Sequence, residues 1–238
     1  MDIEFRDLGR MGYKETWDLQ ERLLAENVQV KSAARIAGIS DPLQVATRQY
    51  LLFVAHPHVY TLGKSGDISN VLISESEMKE RAVSFYHTNR GGDITYHGPG
   101  QLVGYPILDL EKHYTDIGRY LRNLEEVIIK VMAMYGLKGE RSAGETGVWL
   151  DPDRKGRERK ICAMGVRCSR WITMHGFALN VNTDLSYFGH IVPCGIAEKQ
   201  VTSLEKELGY SLPEDEVKAN VKRAFAEVFG VDVIDPSE

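Results

Sequence analysis

Two thiols and one amine carry the strongest nucleophile and base chemistry in this sequence. Cys194 stands between Pro193 and Gly195 in an apolar run, residues 191–196. Proline and glycine around a cysteine place it at a constrained turn, from which a thiol can project. It then acts as a nucleophile if a base or cation holds it as thiolate. The common alternative is a buried cysteine serving as a small hydrophobe. Lys160 opens the run Lys-Ile-Cys-Ala-Met-Gly-Val-Arg. Strand alternation puts Lys160, Cys162 and Met164 on one face and Ile161 and Ala163 on the other, so Cys162 competes for the lysine. A lysine that begins a strand is ordinarily a solvated end. Facing a pocket, it would lose solvation, its pKa would drop, and it could serve as a base. Cys168, among Arg167, Ser169 and Arg170, is the least constrained thiol.

The densest glycine cluster is Arg90, Gly91, Gly92, Asp93, Ile94, Thr95, Tyr96 and His97, followed by Gly98, Pro99, Gly100 and Gln101. Glycine lets a ligand approach the backbone closely, so this run reads either as a pocket wall or as a tight hairpin with two glycine turns. Arg90, Tyr96 and His97 are more polar equipment than a turn needs, which favours the wall. It is not a phosphate loop, because this run contains no Gly-Lys-Ser/Thr and no long helix follows it. His175 opens a second glycine-containing segment and either lines the same pocket or caps a strand. His56 and His58, like Cys162 and Cys168, lack zinc-site spacing, and neither HExxH nor GxSxG occurs, so no metal is expected.

The elements that must position these groups alternate between strand and helix patterns. Strand-like runs cover residues 50–55, 59–62, 83–87, 101–108, 147–150, 160–167 and 176–181. Pro106 should end its strand or sit at an edge. A first helix is read over 13–26. The strongest helical period covers 115–135, with Gly136 suited to its end. Residues 151–159 read as an exposed hairpin loop, and two C-terminal helices cover 203–208, behind a Thr202–Glu205 capping box, and 214–229. Residues 27–48 lack a clean period and carry Gly38 and Pro42, so they read as an inserted loop or a broken short helix. Long crossover helices between strands are missing. The expected fold is therefore α+β, a mostly antiparallel sheet with helices packed on one face, in a single domain over 1–238.

With 238 residues, 43% of them hydrophobic and 26% charged, the chain can bury a core without disulfides or metals. Its net charge of −5 argues against a general nucleic-acid binder. The first residues offer no apolar stretch of signal-peptide length, and no run approaches the ~20 residues of a membrane span. Three cysteines form no disulfide framework, so a cytoplasmic location is expected. From the residues alone the function stops at a glycine-rich pocket with a Cys/Lys pair.

Several segments, taken together and in order, resemble the octanoyltransferases of lipoate biosynthesis. They are His-Pro-His-Val-Tyr-Thr-Leu-Gly at 56–63, RGGDITYHGPGQLVGYPILDL at 90–110, GVW at 147–149, KICAMGVR at 160–167, HGFALNVNTDL at 175–185, PCGI at 193–196 and VTSL at 201–204. The resemblance runs from about residue 50 to 208. It implies a fold shared with biotin and lipoate protein ligases. It also implies transfer of octanoyl from octanoyl-acyl carrier protein to a lysine of lipoyl domains, such as glycine cleavage H protein or dehydrogenase E2 subunits. By resemblance Cys194 forms the acyl-thioester and Lys160 lowers its pKa. The acyl group and thioester would be held by Arg90, Gly91, Gly92, Asp93, Ile94, Thr95, Tyr96 and His97, by Ala163, Met164 and Gly165, and by Gly176, Phe177 and Ala178. No cofactor is implied. Two departures stand out: residues 27–48 are longer than is usual, and Cys162 replaces a small residue. An acidic carrier would need a local basic surface, for which Arg167, Arg170, Lys155 and Arg157 are candidates. The alternatives are an ATP-dependent lipoate or biotin protein ligase, an amidotransferase moving octanoyl between lipoyl domains, and a non-catalytic acyl-carrier-binding module. The ligases lack need of a PCG nucleophile, and the module has no use for Lys160 and Cys194.

Overall fold

The computed structural model describes residues 1–192 and 200–236. Its strands are β1 (Asp2–Arg10), β2 (Tyr50–Ala55), β3 (Val59–Leu62), β4 (Ser84–His87), β5 (Ile94–His97), β6 (Gln101–Ile107), β7 (Val148–Leu150), β8 (Arg159–Ser169), β9 (Ile172–Asn180), β10 (Gln200–Val201) and β11 (Asp232–Ile234). The helices are α1 (Tyr13–Ile36), α2 (Glu75–Glu80), α3 (Ile117–Met134), α4 (Leu204–Leu208) and α5 (Glu214–Phe229).

Among the described residues the main sheet runs β10-β8-β9-β6-β2-β1-β11, with β7 on the free side of β8. Its centre, β8-β9-β6-β2, is antiparallel, as expected. The margins are parallel: β1 beside β2 and β11, and β10 beside β8. A second sheet, β4-β3-β5, covers one end.

β2 is apolar at every position because the sheet is covered on both faces. Leu51 and Phe53 point into a core with α3 and α5, while Tyr50, Leu52 and Val54 point into one with α1. Helices on one face only is thus corrected to helices on both. Pro106 is corrected as well. It lies inside β6 opposite Leu51, where the Thr173 hydroxyl donates to its carbonyl at 2.8 Å and no proline N–H is required.

Residues 27–36 are no loop; they are the last turns of α1, which Gly38 and Pro42 follow rather than interrupt. Asn27 exchanges two hydrogen bonds with the Arg48 backbone, at 2.7 and 2.8 Å. Further along, Lys31 reaches the buried Asp109 carboxylate at 2.8 Å. α3 is capped by Asp116, and Gly136 beyond it takes a positive φ of 72°. The cap of α4 is Ser203, whose Oγ accepts from the Lys206 amide, rather than Thr202. Among the described residues, no helix is long and apolar enough to cross a membrane.

Candidate active site

A cavity of about 680 Å³ opens between the Arg90–His97 segment and the sheet at β8, β9 and β6. Arg90 shapes its upper wall. The guanidinium donates to the carbonyls of Thr61 at 2.5 Å, Asp93 at 2.7 Å and Gly91 at 3.0 Å. Asp93 folds back on its own turn, accepting from the Ile94 amide at 2.7 Å and from Asn70 Nδ2 at 2.8 Å. Both side chains therefore spend hydrogen bonds on holding the wall. This wall lies directly on β8: Gly91 N–H donates to the Val166 carbonyl at 2.9 Å. A Cβ on Gly165 would stand 2.6 Å from the Gly91 oxygen, so only glycine permits that approach.

Of the residues expected to hold substrate, Arg90, Gly91, Gly92, Asp93, Ile94, Thr95 and His97 line this cavity. So do Ala163, Met164, Gly165, Gly176, Phe177 and Ala178. Tyr96 does not. Its ring packs with Tyr60 and Phe188 instead, stacking on Tyr187 with centroids 5.1 Å apart and sharing a hydrogen bond with His58 Nδ1 at 2.7 Å.

The inner end is aromatic and neutral. Tyr13 of α1, which no motif signalled, stacks on His97 with centroids 5.8 Å apart. His97 Nδ1 donates to Gln101 Oε1 at 2.9 Å, since the amide nitrogen of Gln101 is turned to the Tyr96 carbonyl and Asn180 Oδ1. His56 Nδ1 donates to the Met11 carbonyl at 2.9 Å, so its Nε2 accepts from the Tyr105 hydroxyl at 2.8 Å. His175 lines the cavity from β9 at a left-handed φ of 57°. Its Nε2 donates to Asn89 Oδ1 at 2.7 Å, and Asn89 Nδ2 donates to Glu21. Burial holds all three imidazoles in the neutral form. It lowers His56 to about 4 and His175 to about 3, and His97 well below its usual range, with the Arg90 charge adding to the effect at His97 and His175.

Lys160 lines the cavity and Cys162 does not, because Ile161 is a β-bulge. Val148 faces Cys162 and Trp149 faces Lys160, which leaves one extra residue on β8. Ile161 and Cys162 both enter the α3/α5 core, fully buried, while Lys160 stays with Ala163 on the cavity side. The shared face expected for Lys160 and Cys162 is thereby corrected. Burial pushes the Cys162 thiol far up, against any role as a thiolate. Lys160 Nζ sits 4.5 Å from the Trp149 ring centroid.

Cys194 lies outside the described residues. The chain on either side of it is anchored at the cavity. The Val192 amide donates to the Asn70 carbonyl at 2.8 Å, and Asn70 holds Asp93. On the far side, Val201 pairs with Lys160, and the Thr202 amide donates to the Lys160 carbonyl at 2.9 Å. Of the basic candidates for a carrier surface, Arg167 is bound to Glu21 at 2.6 Å and Arg170 occupies the β8–β9 turn.

Residues 12–226 match the model of the lipoyl protein ligase A/B catalytic domain, and the chain belongs to that family. It is 59% identical over 229 residues to an octanoyltransferase of Christiangramia forsetii, covering 96% of each chain. To an octanoyltransferase of Flavobacterium johnsoniae it is 55% identical over 233 residues, 98% of each. The fold is shared with a bi-partite lipoate protein ligase of Thermoplasma acidophilum at a TM-score of 0.70 and 18% identity, over 100% of this chain and 88% of that one. A lipoate-protein ligase A bound with ATP superposes at 0.69 and 16% identity, over 100% and 90%. Within the family this protein is an acyltransferase that moves octanoyl groups in lipoate biosynthesis.

Proposed function

We propose that the octanoyl group travels from octanoyl-acyl carrier protein to the lysine of a lipoyl domain through a thioester on Cys194. The observation that carries this reading is the anchoring of the chain around Cys194: one flank is tied to Asp93 through Asn70, the other to Lys160 itself. Cys194 is two residues beyond Val192, a reach of roughly 7 Å.

Lys160 Nζ takes the Cys194 thiol proton, and the sulfur attacks the carrier's thioester carbonyl. The carbon–sulfur bond to the carrier's phosphopantetheine arm breaks, and the departing thiolate recovers the proton from Lys160. In the second half, the acceptor amine attacks the acyl-cysteine, gives its proton to Lys160, and the Cys194 thiolate leaves and is reprotonated. A thioester becoming an amide runs downhill, so the scheme uses neither ATP nor a metal.

Each tetrahedral intermediate needs a donor for its oxyanion. The Val166 carbonyl faces Gly91, away from β9, so alternation turns the Met164 N–H and C=O to the same open side of β8. That N–H, on a strand that lines the same cavity as Lys160, is the preorganised donor in this scheme. Ile94, Met164 and Phe177 supply apolar wall for the eight-carbon chain, at ~0.8 kcal/mol per buried methylene.

The acceptors would be lipoyl domains of the glycine cleavage H protein or dehydrogenase E2 type, and the setting the cytoplasm. An assay with octanoyl-acyl carrier protein and a lipoyl domain tests the reading. Octanoylation without ATP is the expected result. Modification only from free octanoate plus ATP would make the chain a ligase.

A further inference from the structure

Glu125 is an anomaly in α3, a fully buried carboxylate in a stripe otherwise made of Tyr120, Leu124, Val127, Ile128, Val131 and Met132. Such a group is retained only when its charge and lone pairs are satisfied. Its Oε2 accepts from Arg141 Nε at 3.0 Å and forms an ion pair with Arg122 Nη1 at 3.0 Å, and its Oε1 accepts from the Gly147 amide at 3.0 Å. Arg141 and Gly147 are the two ends of one loop, and Gly144, Glu145 and Thr146 between them line the cavity. A single carboxylate therefore closes the loop at both ends.

The far end of that loop abuts Lys160. Gly147 has a φ of 120° that strongly favours glycine, and a Cβ built there would stand 3.6 Å from Lys160 Cδ and 2.5 Å from the Cys162 carbonyl oxygen. Two residues on, Trp149 exchanges backbone hydrogen bonds with Glu140 at 2.9 Å in each direction and carries Lys160 Nζ over its ring. The approaches of Gly147 and Trp149 to Lys160 thus follow from where this loop is fixed.

We infer that Glu125 is a positioning residue for the transfer reaction: by tying Arg141 and Gly147 together beneath the cavity, it sets the wall that holds Lys160 in place. The inference rests on the role assigned to Lys160 above. Glu125 touches no substrate and acts through Gly147 and the loop.

The test is Glu125→Gln, which keeps the shape and an acceptor for Gly147 but removes the charge that holds the arginines. The readouts are kcat and KM for the octanoyl donor, the thermal melt, and the rate at which an amine-acetylating reagent labels Lys160, followed by peptide mass spectrometry. The expected result is a cooperative melt, KM within about twofold, kcat lowered on the order of a hundredfold, and faster labelling of Lys160. Glu126→Gln, which loses only the surface contact to Arg141, should match the unaltered protein. A folded Glu125→Gln with unchanged kcat and unchanged Lys160 labelling overturns the inference, as does a rise in KM alone. If Glu125→Gln does not fold, Arg141→Gln decides: a fall in kcat with faster labelling supports the inference, and neither change overturns it. Full transfer by Lys160→Ala would instead sink the role of Lys160, while the labelling rates would still report on Glu125.

Discussion

Lys160 and Cys162 are two positions apart on β8 yet occupy opposite sides of the sheet, the lysine in the cavity and the thiol in the α3/α5 core. The bulge at Ile161 makes the difference. Without it the two side chains would share a face, and Cys162 would rival Cys194 for the lysine.

Cys162→Ala is accordingly expected to leave octanoyl transfer within about twofold of the unaltered protein. It should cost stability by about 1 kcal/mol through the small void it leaves. Steady-state rates and denaturant midpoints check this. A loss of transfer comparable to that of Cys194→Ala would assign the chemistry to the wrong thiol.

The three buried imidazoles give the fold a pH dependence of definite sign. His56 and His175, at about 4 and 3, and His97, well below its usual range, all bind protons more weakly when folded than at the unfolded value near 6.5. Below pH 6.5 the unfolded chain takes up more protons. Their contribution is complete above that value and falls as pH drops toward the folded values, by up to ~1.4 kcal/mol per pH unit for each site. Urea midpoints should decline from pH 7 to pH 5. A flat or rising trend would mean these rings are charged or solvated in the fold.

Gly165→Val tests the close approach of the Arg90–His97 wall to β8. A Cβ 2.6 Å from the Gly91 oxygen must push the wall outward. Since the Gly91–Val166 hydrogen bond spans the same gap, transfer should fall on the order of a hundredfold while the far α3/α5 core stays folded. Near-normal transfer would show that the wall does not govern the reaction.

Met164→Ala and Phe177→Ala enlarge the apolar part of the cavity. Both should shift donor preference toward acyl chains longer than eight carbons. Phe177→Ala should also cost about 3–5 kcal/mol, because its ring packs on Phe53. An unchanged ranking among hexanoyl, octanoyl and decanoyl donors would remove these residues from the acyl wall.

Much of this was legible in the sequence for a physical reason. The glycine motifs and the strands around them are local signals, and the cavity is built where they meet. What escaped depends on distant partners. β1 alternates charged and apolar residues without a turn signal and finds its parallel neighbours at Tyr50 and Asp232. Residues 27–36 read as irregular because their helix is fixed from outside, by Asn27 on Arg48 and Lys31 on Asp109. Tyr96 and the Ile161 bulge show the limit of motif reasoning at the site. A motif names the residues, and the packing around each strand decides which of them reach the cavity. Tyr13 and Glu125 carried no signal except, for Glu125, a charge in the middle of an apolar stripe.

The central claim is a covalent octanoyl-thioester on Cys194. The direct measurement is the intact mass of the protein after incubation with octanoyl-acyl carrier protein, without acceptor or ATP, followed by mapping of the modified peptide. One octanoyl increment on Cys194 that an added lipoyl domain discharges is the expected result. No covalent adduct in a protein competent for transfer, or an adduct on Cys162, would contradict it.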